Sequence, residues 1–123
     1  MLAKVVHFEI PAEDMQRAVN FYRQAFGWEI GKWDGPMDYW LATTGPEEEN
    51  GIHGAITKRE GFNDSVVNTI AVESLAETVA RIKAAGGTVL EERLEVPGVG
   101  LLAYFRDTEG NMFSALQPEM PPA

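Results

Sequence analysis

The chain repeats one pattern of secondary structure at an interval of 60 residues. A run of β-branched and aromatic residues at Val5–Ile10 ends at Pro11, and apolar residues that begin at Met15 then recur with helical spacing. A second strand-like run, Val66–Val72, is followed by the same helical spacing from Leu75 onward. Because an internal repeat constrains architecture more than any single motif, we predict two copies of one structural unit.

The two predicted helices carry recognisable start and stop signals. Asp14 is a suitable N-cap for a helix over Asp14–Phe26, and Gly27 follows its last apolar residue. The second helix, over Ser74–Ala85, opens with a Ser-x-x-Glu capping sequence and is followed by Gly86-Gly87. Equivalent signals at equivalent positions support the duplication.

Three further strand-like segments follow each predicted helix. We therefore predict an α+β fold made of two tandem βαβββ modules within one domain over residues 1–123. Module one covers about residues 1–60, module two covers about 61–118, and residues 119–123 form a loose tail. The predicted strands are Trp28–Trp33, Tyr39–Thr43 and Ile52–Lys58 in the first module, and Thr88–Val96, Gly100–Arg106 and Met112–Leu116 in the second.

Composition excludes several classes of function. The chain has no cysteine, so a disulfide, a thiolate nucleophile and a Cys-ligated zinc are all impossible. Its formal net charge of −9 disfavours nucleic acid and anionic membrane surfaces as partners. No segment has the ~20 apolar residues that a membrane-spanning helix needs. We expect a cytoplasmic protein.

The order of short motifs along the chain resembles the vicinal oxygen chelate superfamily, in its branch related to lactoylglutathione lyase. The resemblance implies the glyoxalase/bleomycin resistance/dihydroxybiphenyl dioxygenase fold, in which the modules form a curved, mixed, mainly antiparallel sheet whose cup binds a small molecule. It also implies a homodimer, which a monomer in light scattering would contradict. The motifs are the opening His7-Phe8-Glu9-Ile10, then Asp14-Met15, Phe21-Tyr22, Phe26-Gly27-Trp28, and the closing Asp107-x-x-Gly110-Asn111-x-Phe113.

The same resemblance identifies four positions that hold a divalent metal in the metal-dependent members. They correspond to His7, Gly54, Val67 and Ser114 in this chain. A site of this kind needs about three imidazole or carboxylate ligands, whereas Gly54 and Val67 have no side-chain donor and Ser114 is a weak one. We predict no metal site and no cofactor.

His53 is the residue that can change this prediction. It neighbours Gly54, and strand side chains alternate between faces, so His53 is expected to point out of the cup if Gly54 points into it. A β-bulge near Gly51 or Gly54, or a slip of one residue, would reverse that orientation.

The candidate catalytic residues are His7 and Glu9, which share one strand face because they are two residues apart. A histidine–glutamate pair in an apolar cup can perform acid/base chemistry without a metal. The alternatives are a buried structural histidine, and a glutamate that only accepts a hydrogen bond from a donor such as Arg106.

The candidate ligand-binding residues are mostly aromatic. Aromatic side chains on alternating strands usually belong to the core, but a cup lined with rings and a few polar groups also suits a small apolar ligand. The residues are Trp33, Tyr39, Trp40, Tyr104 and Ser114.

These observations favour a glyoxalase-like protein that binds a small hydrophobic or carbonyl-containing molecule without an intact divalent-metal site. Two alternatives stay open at this point. One is a metal-dependent lyase or isomerase resembling lactoylglutathione lyase, and the other is a non-catalytic protein that sequesters a drug-like molecule. The fold alone does not choose between them, because one scaffold hosts many chemistries.

Overall fold

A computed structural model describes residues 2–35 and 37–119 of the chain. Two compact units are present, one over His7–Val66 and the other over Val67–Ala123 together with Met1–Val6. Each unit has the βαβββ order, so the predicted fold class is confirmed. The elements are β1 (Val5–Ala12), α1 (Met15–Phe26), β2 (Glu29–Lys32), β3 (Tyr39–Thr43), β4 (His53–Lys58), β5 (Val67–Ala71), α2 (Leu75–Ala84), β6 (Thr88–Val96), β7 (Gly100–Arg106) and β8 (Met112–Pro118).

The His7–Val66 unit orders its strands β2-β3-β4-β1. The β2–β3 and β3–β4 pairs are antiparallel, and β1 closes the order by pairing in parallel with β4. The β1–β4 register is continuous from His7 opposite His53 to Ala12 opposite Lys58. The other unit repeats this arrangement as β5-β8-β7-β6, with β5 parallel to β8. The equivalent orders are the structural counterpart of the sequence repeat.

Both helices begin at the predicted caps. The carboxylate of Asp14 accepts the Arg17 N–H at 3.0 Å, and the Ser74 hydroxyl accepts the Glu77 N–H at 3.2 Å. These bonds satisfy N–H groups that have no partner within the helix, and each is worth about 1 kcal/mol. Helix α1 is terminated by the C-cap residue Gly27, whose φ of 71° is a left-handed conformation that favours glycine.

Two predicted strands end two residues too early, and the other predicted strand ends lie within one residue of the observed ones. Strand β1 continues through Pro11 to Ala12, because a proline removes one N–H donor but keeps an extended φ and its carbonyl. Strand β8 continues to Pro118, and Glu119 then donates its N–H to the Val99 carbonyl at 2.8 Å. Residues 120–123 of the predicted tail lie outside the described residues. Within the part of the chain that is described, neither helix is long and apolar enough to cross a membrane.

Each helix packs on one face of the strands of its own unit. In the His7–Val66 unit, Val19 of α1 is fully buried against Ile30, Ala42 and Ile56, one from each of β2, β3 and β4. In the other unit, Leu75 and Val79 of α2 pack with Ala103 and Ala115. Because strand side chains alternate, these contacts define the opposite faces as well.

Gly54 lies on the helix-facing side of β4, in register with Phe8. A methyl group at Gly54 would lie 2.3 Å from the Phe8 ring, which itself packs against Trp28 at 5.7 Å between ring centroids. The absence of a side chain at Gly54 therefore makes room for the Phe8 ring.

Gly54→Ala is expected to lower the free energy of unfolding by roughly 1–3 kcal/mol, because the added methyl overpacks the Phe8 ring. Gly31→Ala is the matched control, since a methyl there would meet nothing within 4 Å. The control should change stability by less than about 1 kcal/mol. Equal stabilities of the two variants in urea unfolding would show that Gly54 does not face Phe8.

Candidate functional site

The strand face opposite α1 in the His7–Val66 unit gathers most of the polar and aromatic candidates of that unit. We call it the His7 face. Its orientation follows from the register, since Ile56 and Ala42 point to α1 and their neighbours along each strand point away. The His7 face comprises His7, Glu9 and Pro11 of β1, Tyr39, Leu41 and Thr43 of β3, and His53, Ala55 and Thr57 of β4.

His7 and Tyr39 form the closest polar contact on this face. The His7 Nε2 and the Tyr39 hydroxyl oxygen are 2.6 Å apart, and the two rings lie nearly parallel with centroids 6.1 Å apart. Both side chains are half-buried. Burial lowers the pKa of His7 below its ordinary value of 6.5, because a buried imidazolium loses its hydration. His7 is therefore a neutral imidazole near pH 7.

Trp33 extends this pair into a three-ring cluster. Its indole meets the Tyr39 ring edge-on with centroids 5.7 Å apart, and the Trp33 backbone N–H donates to the Tyr39 carbonyl at 2.8 Å. Gly35 makes room for the indole, because a side chain there would lie 2.2 Å from it. The three rings form a half-buried aromatic wall with one imidazole and one phenol, which suits a flat apolar ligand with a polar group.

Glu9, the second predicted catalytic residue, lies on the same face as His7. It is 5% exposed and stands opposite Ala55 in the parallel pair. A carboxyl group that is buried to this degree is retained only where polar groups compensate its desolvation. The prediction that His7 and Glu9 share a face therefore agrees with the β1–β4 register.

The other predicted ligand residues are distributed differently. Trp40 points to the opposite face and packs against the buried core beneath α1. Tyr104 and Ser114 belong to the other unit, where they stand opposite each other in the β7–β8 pair. The Ser114 hydroxyl is fully buried and donates to the Thr69 hydroxyl at 2.8 Å. Trp40 thus has a packing role, and Ser114 is already hydrogen-bonded.

The expected orientation of His53 is wrong. Gly54 points to α1, so His53 shares the face of His7, which it opposes in register without a bulge. The predicted counterpart of Ser114 was Gly54. However, Ser114 pairs with Thr69 in the second module. The equivalent of Thr69 in the first module is Glu9, 60 positions earlier, and Glu9 pairs with Ala55. Ala55, and not Gly54, is therefore the counterpart of Ser114. The spacing between equivalent residues is therefore 59 in the last strand of each module, and 60 in the first strand and the helix.

His53 is held by neighbouring loop residues. Its Nδ1 accepts the Thr44 N–H at 3.0 Å, so the Nε2–H donates to the Glu47 carboxylate, also at 3.0 Å. Both ring nitrogens are therefore engaged. Neither Thr44 nor Glu47 could be assigned this role from the sequence, because the acidic run that contains Glu47 is typical of a solvated loop.

The residues present do not fit a divalent metal ion. With the corrected register, the four family positions become His7, Ala55, Val67 and Ser114, of which Ala55 and Val67 have no donor atom. Among residues 2–35 and 37–119, no group of three or more His, Asp or Glu side chains is close enough to hold a metal. One imidazole and one buried hydroxyl are too few ligands for zinc or iron.

A second polar pair on this face was not predicted. The Asn63 amide donates to the Thr57 hydroxyl at 3.1 Å, and Thr57 is opposite Tyr39 in register. The other end of the amide, Asn63 Oδ1, is buried and has no hydrogen-bond partner among the described residues. No motif marks Asn63, which lies in the loop after β4, so only the fold reveals it.

Comparisons with known proteins agree with this architecture. The sequence model of the glyoxalase/bleomycin resistance protein/dioxygenase superfamily matches residues 4–115. A glyoxylase-like domain-containing protein of Didymella fabae is 32% identical over 108 residues, which cover 84% of each chain.

Among solved structures, hypothetical protein BH1468 of Bacillus halodurans has a TM-score of 0.72 at 11% identity and covers 100% of this chain and 99% of its own. A variant of methylmalonyl-CoA epimerase from Streptomyces coelicolor has a TM-score of 0.68 at 17% identity and covers 98% and 100%. At these identities the structures show a shared fold alone. The family match and the fungal relative show that the chain belongs to the glyoxalase/bleomycin resistance protein/dioxygenase superfamily.

Proposed function

We propose that this glyoxalase-like protein binds a small hydrophobic or carbonyl-containing molecule on the His7 face without a divalent metal. The observation that carries the proposal is the half-buried wall of His7, Tyr39 and Trp33, with its 2.6 Å imidazole–phenol contact. Rings provide apolar contact area, and the two polar groups can orient a carbonyl oxygen. The proposed ligand is therefore a planar or apolar molecule with one carbonyl group.

The chemistry proposed for the face is proton transfer rather than Lewis-acid catalysis. When the His7 Nε2–H donates to the Tyr39 oxygen, the Tyr39 O–H can donate to a carbonyl oxygen and the His7 Nδ1 is the atom that accepts a proton. In an enzymatic reading, His7 and Glu9 act as the acid/base residues on a carbon next to that carbonyl. In a sequestering reading, the same groups only orient the ligand, and the protein acts as a binding protein.

A metal-dependent isomerase resembling lactoylglutathione lyase is disfavoured by the donor set. Ala55 and Val67 stand at two of the four positions at which that chemistry requires ligands. His53 lies on the correct face, but its two nitrogens already bind Thr44 and Glu47. Recruiting it through Nε2 would require breaking the contact with Glu47.

The proposal is tested with a panel of small aromatic ketones and aldehydes, measured by thermal shift with and without EDTA. A true ligand at 100-fold its Kd should stabilise the protein by roughly 2.7 kcal/mol, equally in both buffers. Trp33→Ala and Tyr39→Phe should each weaken binding about 5- to 10-fold, since each removes about 1 kcal/mol of contact.

Phe26→Leu is the control, because Phe26 is an exposed ring on α1, 64% accessible and away from the His7 face. It should bind the ligand as the parent protein does. Binding that survives Trp33→Ala and Tyr39→Phe, or that requires added metal, would refute the proposed site.

The depressed pKa of His7 gives a pH dependence with a definite sign. The unfolded chain binds a proton near the ordinary value of 6.5, whereas folded His7 binds it only at lower pH. The contribution of His7 to the free energy of unfolding is therefore fully present above pH 6.5. It is lost as the pH falls toward the pKa of His7 in the folded protein. His7→Gln should lose less stability than the parent between about pH 7.5 and 5 in urea unfolding. An equal loss in both proteins would contradict a buried, neutral His7.

The homodimer and the cytoplasmic location stay predictions. The first rests on the family resemblance, and the second on composition and charge. The thermal-shift experiment assumes neither of them.

A further inference from the structure

The duplication has produced two equivalent grooves, one beside the first turns of each helix. The first groove, of about 410 Å³, lies between the end of β1 and α1 and is lined by Ile10, Ala12, Arg17, Phe21, Tyr22 and Arg59, together with Glu13 and Asp14. The second, of about 340 Å³, is lined by Ile70, Val72, Glu73, Glu77, Arg81 and Ile82, together with Leu2 and Phe105. Their shared shape follows from the fold and is no sign of function by itself.

The two grooves differ in chemistry at equivalent positions. Arg17 of the first groove corresponds to Glu77 of the second, 60 residues later. Phe21 corresponds to Arg81 by the same interval, so an aromatic ring stands where the second groove has a cation. Along its helix, the first groove therefore presents a guanidinium group and, one turn later, an aromatic ring. At the same two positions the second groove presents a carboxylate and then a guanidinium group.

The guanidinium groups of the first groove can accept an anion. Arg17 is exposed, and its side chain has no partner among the described residues. Arg59 contacts Glu13 at 3.3 Å, but both side chains of this pair are exposed, at 45% and 71%, so the pair is weak and can exchange. The Asp14 carboxylate accepts the backbone N–H of Arg17 as the helix N-cap. In a chain of net charge −9, helix α1 contains two arginines and no acidic residue.

The aromatic side of the groove is a set of contacting rings that is incompletely covered. Phe21 is 57% exposed and meets Tyr22 edge-on with centroids 5.0 Å apart. Tyr22 in turn stacks on Trp28 at 5.0 Å and 8°. Large rings that stay exposed next to a concavity commonly mark a binding surface, and a stacked platform loses little entropy when it receives an apolar group.

We propose that the first groove is a second small-molecule site, selective for an amphipathic carboxylate. The carboxylate binds the Arg17 guanidinium, with Arg59 exchanging from Glu13 to join it, and the apolar body of the ligand packs on Phe21 and Tyr22. A volume of about 410 Å³ is in the range of small-ligand pockets. Ile10 and Ala12 point to α1, so the groove lies mainly on the opposite side of β1 from His7 and Glu9, and Pro11 contributes to it at the end of β1.

The test is a titration of ¹⁵N-labelled full chain with 4-phenylbutanoate, followed by amide chemical shifts. Saturable shifts are expected at residues 10–22 and at Arg59. The neutral analogue 4-phenylbutan-1-ol should bind about 10-fold more weakly, because it cannot form the charge-assisted contact. Arg17→Glu gives the first groove the carboxylate that the second groove has at Glu77. This variant should weaken phenylbutanoate binding at least about 10-fold.

Arg17→Gln is the second variant, which removes the charge without adding a carboxylate, and it should weaken binding to a lesser extent. Glu77→Gln is the control in the second groove and should bind as the parent does. Equal affinity for the acid and the alcohol, unchanged affinity in Arg17→Glu, or shifts confined to the His7 face or the second groove would overturn the proposal. Shifts at Phe21 that depend on protein concentration and not on phenylbutanoate would overturn it as well, by identifying self-association.

Discussion

The parallel pairing of β1 with β4 is the constraint on which the candidate site depends. Its register sets His7 opposite His53 and Glu9 opposite Ala55. This places Gly54 under the Phe8 ring, on the helix-facing side of β4. On the His7 face, the β4 residue between His7 and Tyr39 is Ala55, whose side chain is only a methyl group. The Tyr39 side chain can therefore cross β4 and reach the His7 imidazole. A larger residue at position 55 would stand in its path.

Much of the fold could be predicted from local signals, whereas the orientation of one strand could not. The caps at Asp14 and Ser74 and the strand at Tyr39–Thr43 follow from side-chain chemistry and periodicity, which are readable in a short window. The orientation of His53 depends on the lengths of the connections before β3 and before β4. Leu41 and Tyr104 are equivalent because they pair with Ala55 and Ser114, so the spacing is 63 residues between β3 and β7 and 59 between β4 and β8. The net change of one residue exchanges the two faces of β4. No residue type within β4 signals the change.

The same reasoning explains which site residues could be found. His7 and Glu9 were predicted to share a face because both are in β1, where alternation is simple. Trp40 and Tyr39 are adjacent, so alternation permits only one of them to face His7, and the choice required the tertiary register. Asn63 and Glu47 act from loops, whose positions depend on contacts made far along the chain. The register error in β4 does not change the prediction about a metal, because neither Gly54 nor Ala55 has a side-chain donor.

The central claim is that the His7 face works without a divalent metal, and elemental analysis tests it most directly. The protein should be purified without chelators, incubated with zinc, nickel or iron, and desalted. We expect far less than one metal per chain, with no difference between the parent protein and His7→Ala. About one metal per chain, lost in His7→Ala or His53→Ala, would contradict the account, because it would show that the two imidazoles on this face do form a metal centre.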